Sequence, residues 1–207
     1  MPGRAPFLGT ALLAAALLTS CGTPPRPAAP AAASAPAAKP PTPSASPSVL
    51  RSLGGAGTAC VLPVSFSLTE DWEPEEVEAP DDPDFAALTK QGPATIVCEA
   101  KAEGTPHIGF LRVWTAPKGP VRPTLEAFVK ADKTKGIALS DLRVGGVPAV
   151  EARYAVFSGL TEEWREGRAF ALSTAGGVVV VELGGLDSEE EDMIAAYEAV
   201  KSSVEVA

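Results

Sequence analysis

The amino-acid sequence predicts an α+β domain, an antiparallel sheet of about six to seven strands covered by helices. Three observations carry that expectation. Short runs of alternating or wholly apolar residues recur between turn residues. Paired glycines at 145–146 and 176–177 separate such runs tightly enough to force antiparallel pairing. Two segments change to helical periodicity, one between the third and fourth runs and one at the C-terminus.

Along the chain, Val64-Ser65-Phe66-Ser67-Leu68 alternates and reads as a strand with its apolar side chains inward. The acidic, proline-punctuated stretch from Glu73 to Asp84 reads as irregular. Residues 94–100 form a second strand, with Ile96, Cys98 and Ala100 expected on one face. Residues 107–114 form a third, apolar on both faces and therefore central. Thr124 is expected to cap a helix whose stripe is Leu125, Phe128 and Val129. Two hairpins follow, 139–144 with 149–157 and 168–174 with 178–183. In the last helix Ser188 and Glu191 have capping-box spacing, and Met193, Ala196, Tyr197, Val200 and Val204 form one stripe.

The region ahead of this domain has another character. One positive charge, Arg4, precedes an apolar run from Phe7 to Leu18, shorter than the roughly 20 residues that span a bilayer. Leu18-Thr19-Ser20-Cys21 then resembles the lipobox of bacterial lipoproteins. It implies cleavage of residues 1–20 as a signal peptide, lipid on Cys21, and attachment to the extracytoplasmic face of the cell membrane. Stable retention takes more than one acyl chain. Residues 21–57 read as a linker. Nine prolines lie between Pro24 and Pro47, and such a segment lacks the apolar surface to offset its ordering entropy. Gly54-Gly55-Ala56-Gly57 lacks the Lys-Ser/Thr and the strand–helix setting of a phosphate loop and is assigned to the linker.

Residues 58–207 hold all 26 acidic residues and 13 of the 17 basic ones, a formal charge of −13. That argues against nucleic acid as a partner. With Cys21 lipidated, Cys60 and Cys98 remain. In an oxidising compartment they form a disulfide or, failing that, two buried thiols. They are not spaced for zinc or redox chemistry.

Four stretches carry a family resemblance: Phe66-Ser67-Leu68 through Trp72, Thr124-Leu125-Glu126-Ala127-Phe128-Val129, Val144-Gly145-Gly146-Val147-Pro148-Ala149, and Gly185-Leu186-Asp187 leading to Tyr197-Glu198-Ala199-Val200. In these the domain resembles the PsbP-like fold, shared with the Ran-binding factor Mog and the LpqN-type lipoproteins of actinobacteria. The absence of asparagine suits a GC-rich gene of that kind. The resemblance implies an α/β/α sandwich and a binding or accessory role. It brings no catalytic residue to carry over.

The residues themselves offer little chemistry. The one histidine, His107, lies in a turn-like setting without a nucleophile motif. Asp81, Asp82 and Asp84 supply oxygen ligands but not the EF-hand spacing. No metal or other cofactor is implied. The expected role is a non-catalytic binding domain for another envelope protein; a carrier of a small apolar ligand between sheet and helix is the alternative. Candidate partner-binding residues are Asp81, Asp82 and Asp84 in the acidic stretch, with Trp164 as an apolar anchor in a hairpin loop. A carrier should hold an apolar cavity, and a protein-binding module a filled core and an exposed patch.

Overall fold

The computed structural model describes residues 50–206. The signal segment, Cys21 and most of the linker lie outside them. The described elements run β1 (Leu50–Leu53), β2 (Val64–Thr69), β3 (Glu73–Glu76), α1 (Pro83–Ala86, continued by a 3-10 turn), β4 (Lys90–Gln91), β5 (Ala94–Lys101) and β6 (Gly109–Ala116). Then come α2 (Val121–Lys130), β7 (Thr134–Val144), β8 (Val147–Ser158), β9 (Glu163–Ser173), β10 (Val178–Gly185), α3 (Glu191–Ser203) and β11 (Glu205–Val206).

Eight strands form one antiparallel sheet in the order β3-β5-β6-β10-β9-β8-β7, with β4 beside β5. Both predicted hairpins are present, and β6 and β10 are central as their two-sided apolar pattern requires. Alternation along β10 feeds two cores. Val178 and Val180 point toward α2, where Leu125, Phe128 and Val129 close the layer. Val179, Val181 and Leu183 point the other way, toward Met193, Tyr197 and Val200 of α3. The second core also takes Val64, Phe66 and Leu68, which belong not to the large sheet but to a small one, β1-β2-β11.

Several local expectations are corrected. Residues 50–57, read as linker, belong to the folded body: β1 pairs with β2, and Gly54 bridges to Val61. Gly54 has φ of 99°, and a Cβ there would meet the Val64 carbonyl oxygen at 1.9 Å. Part of the acidic stretch is ordered as β3, Glu73 to Glu76 pairing with Lys101 to Cys98; an exposed edge tolerates glutamates and a proline that a central strand would not.

Ile96, Cys98 and Ala100 do not share a face. Val97 is inserted between the pairs Ile96–Trp114 and Cys98–Val113, so Ile96 joins the α2 core while Cys98 and Ala100 join the α3 core. Helix α2 starts one turn early, after Pro120. Thr124 is already inside it and returns its hydroxyl to the Pro120 carbonyl. Ser188 does not cap α3; its hydroxyl donates to the Glu166 carbonyl, and the Glu189 carboxylate accepts from the Glu166 amide.

Candidate functional site

The site follows from a mismatch of lengths. Helix α2 has 10 residues and β8 has 12. At about 1.5 Å per helical and 3.4 Å per strand residue, α2 covers less than half the length of the strands beneath it. The rest of that face is open. Two depressions lie there, of about 650 and 620 Å³, and Arg112 lines both.

A charged row forms the floor. Cross-strand register sets Glu99 opposite Arg112 and Arg112 opposite Glu182. Arg112 Nε donates to Glu99 Oε2 at 2.7 Å, and its guanidinium lies 4.8 Å from the centre of the Phe110 ring. Glu182 is buried at 8% exposure and accepts from the Tyr154 hydroxyl at 3.1 Å. Its other oxygen and the Trp114 indole nitrogen are buried beside each other, just outside hydrogen-bond geometry, and the indole N–H favours the charged carboxylate.

Burial pushes the Glu182 carboxyl above its ordinary range, against the opposing pull of Arg112. Asp132, just beyond α2, is also raised by burial and drawn back by Arg112. The Tyr154 hydroxyl is raised by burial and then by its carboxyl neighbour. One guanidinium thus serves three carboxyl groups, and the balance shifts Glu182 toward its neutral form.

Toward the far end the lining becomes apolar. Ile108 (53% exposed), Phe110, Val156, Phe157, Leu160 (81% exposed) and Leu186 line it together. Gly184 and Gly167 stand between Phe110 and Tyr154 on the same cross-strand row. A Cβ at Gly167 would lie 2.4 Å from the Tyr154 ring, so the glycine is what lets that ring fold across the sheet.

The sequence-predicted residues are distributed otherwise. Cys60 and Cys98 form a disulfide that ties the segment ahead of β2 to β5. Asp81 and Asp82 are exposed ahead of α1, and Asp84 lies within that one turn. Trp164 is in strand β9 rather than a loop, 39% exposed, edge-on to Phe157 at 5.5 Å. Lys135 lies 3.8 Å from the Trp164 ring centre and Lys133 lies 3.5 Å from that of Phe157, so the tryptophan supports a cationic cluster.

Strands β5, β6 and β10 separate Trp164 from β3 and the acidic stretch, so the fold does not bring the two candidates together. His107 lies 3.5 Å from Asp192 at the start of α3. Sequence reasoning missed the groove. The signal it overlooked was Glu182, a lone carboxylate in a strand apolar on both faces, where a partner opposite is needed.

The solution structure of the cyanobacterial PsbP protein CyanoP from Synechocystis sp. PCC 6803 is similar: 15% identity, 74% of this chain and 96% of that one, TM-score 0.51. The crystal structure of LpqN, involved in cell envelope biogenesis of Mycobacterium tuberculosis, aligns over 76% of this chain and 91% of its own, at 16% identity and a TM-score of 0.39. No curated protein matches the sequence. The fold is PsbP-like, as CyanoP shares it, and the Lipoprotein_23 family model, described as uncharacterised lipoprotein, matches residues 27–204. The chain therefore belongs to that lipoprotein family.

Proposed function

We propose that this lipoprotein is held by lipid on Cys21 at the outer face of the cell membrane and acts there as a non-catalytic binding domain for another envelope protein, which it engages along the α2-face groove. The observation that carries this reading is the gathering of exposed Ile108 and Leu160 with Phe110, Phe157 and Leu186 around one open trough. Apolar surface rimmed by charge marks interaction sites. The depression is open to solvent rather than enclosed between sheet and helix, which favours a binding surface over an internal carrier cavity.

Arg112, Glu182 and Tyr154 fit this role as a polar reading point between apolar ends. A partner segment with hydrogen-bonding groups at its middle would meet the Arg112 guanidinium, the part of this row that reaches the surface. The acidic stretch from Glu70 to Asp84 approaches the other depression, which Val77 and Leu88 help to line. It would speed the approach of a basic partner.

The test is a photo-crosslinking residue at Ile108 or Leu160 in full-length protein in its native envelope, with exposed Glu205 as the control position. Adducts to one polypeptide from the two groove positions alone support the reading. Adducts to a small apolar molecule would support the carrier alternative, to which a groove of about 620 Å³ is also suited. Capture from Glu205 alone would refute both.

A further inference from the structure

The two edges of the large sheet are treated differently. On one side β3 is four residues long and reads Glu-Pro-Glu-Glu, a short, charged, proline-bearing edge that resists pairing. On the other, β7 runs 11 residues from Thr134 to Val144 and pairs among the described residues with β8 alone.

The hairpin turn fixes which groups of β7 face outward. Gly145 and Gly146 have φ of 56° and 77°, as in a two-residue type I′ turn. The Val144 carbonyl then accepts from the Val147 amide, and hydrogen-bonded pairs alternate from there. Val144 and Leu142 bond to β8. The backbone groups of Arg143, Asp141 and Leu139 turn to the open side. Pro148 stands opposite Arg143 and has no N–H to offer it, in keeping with this alternation.

Asp141 and Arg143 lie two apart on one face and are both exposed. Asp141 meets Arg122 of α2 at 2.6 Å, and Arg143 donates to the Gly146 carbonyl. Leu142 lies on the opposite face, partly buried against the α3 core. The segment is self-complementary. In an antiparallel pairing centred on Leu142, Asp141 of one copy stands opposite Arg143 of the other, twice. Each such pair exchanges both N–H···O bonds, and the two Leu142 side chains are set against each other. A pairing centred on Ser140 would set Asp141 opposite Leu139, with no charge to meet it. One centred on Asp141 would set the two Asp141 carboxylates against each other.

We infer that β7 is a self-association edge, joining two copies of this lipoprotein across a two-fold axis at Leu142 into one continuous sheet. The interface is isologous. It lies apart from the groove, so it stands whether or not the groove binds a protein. Common tethering to a membrane would raise the effective concentration of the two copies.

The test is Leu142→Cys in full-length protein in its native envelope under mild oxidation. The dimer predicts a species of doubled mass on non-reducing gels. Ser140→Cys should stay monomeric, because that register sets the two Ser140 residues about 13 Å apart along the strands. Adding Asp141→Arg to Leu142→Cys should abolish the doubled species, and adding Arg143→Asp as well should restore it. Because Asp141 and Arg143 are exposed, the charge reversals can also be read by light scattering without the new cysteine: the single reversal should halve the mass and the double one recover it. A monomeric Leu142→Cys, equal linkage through Ser140→Cys, indifference to charge reversal, or capture of a different polypeptide overturns the inference.

Discussion

Glu182 shows how one residue can matter more than its surroundings advertise. It is a carboxyl in a buried row with one shared guanidinium, and burial raises its pKa from the ordinary 4.5. A carboxyl raised on folding binds more protons folded than unfolded. Stability is then greatest below the ordinary value and falls as pH rises through it toward the raised one. Glu182→Gln keeps an oxygen for the Tyr154 hydroxyl and removes the titration. We expect thermal melts of the variant to lose the decline that wild type shows as pH rises above 4.5, and to exceed wild type once Glu182 would be ionised. A parallel slope in both proteins would place the pH dependence elsewhere, with Asp132 the next group to test. Gly167 is the complementary case. An added methyl would push the Tyr154 ring off the sheet and away from Glu182, so Gly167→Ala should cost about 1 to 3 kcal/mol in chemical denaturation.

At the scale of elements, the hairpins, the two central strands and the apolar stripes of both helices were legible in the sequence, because each rests on a local period or a glycine turn. The bulge at Val97 was not. The alternation of Ile96, Cys98 and Ala100 is intact in sequence, and only the pairing partner reveals the extra residue. The N-termini of α2 and α3 were misread for a related reason: Thr124 and Ser188 are sound capping residues, but nearby carbonyls of Pro120 and Glu166 take their hydroxyls instead. The groove was illegible because it is made by the shortness of α2 against the sheet. Two fastenings hold these elements. The Cys60–Cys98 bridge closes a separation of 38 residues, worth about 3 to 4 kcal/mol by chain entropy, and Cys60→Ala/Cys98→Ala should lose about that much in denaturant titration. On the α3 face, buried Glu151 accepts from Tyr197 at 3.2 Å and from Lys201 at 2.7 Å, with Arg153 more distant at 3.8 Å. Lys201→Met strands that carboxylate and should cost about 3 kcal/mol, whereas Arg153→Met should cost little.

On the scale of the whole molecule, charge and address act together. Residues 58–207 carry a formal −13, and their densest acidic run, Glu70 to Asp84, has nine acidic residues and no basic one. Such a field acts chiefly on the encounter step: it would raise the association rate of the proposed basic partner and fade as salt rises. Asp81→Asn/Asp82→Asn/Asp84→Asn removes three charges from that run while leaving the groove side chains in place. The variant should capture the photo-crosslinked partner more slowly at low ionic strength and at the same rate as wild type near 1 M salt, where the Debye length falls to about 3 Å. Dissociation should be unaltered if, as proposed, the contacts that hold the partner lie at Ile108, Leu160 and the Arg112 row. Stopped-flow or surface-based kinetics at two salt concentrations read both limbs. An unchanged association rate at low salt would remove the steering role, and a faster dissociation would move the acidic run into the contact surface itself. The anchor is checked in the same preparation. Cys21→Ala should leave the chain unprocessed or release it from the membrane fraction, and a mature N-terminus found unmodified at another residue would contradict the lipid attachment on which this geometry of capture depends.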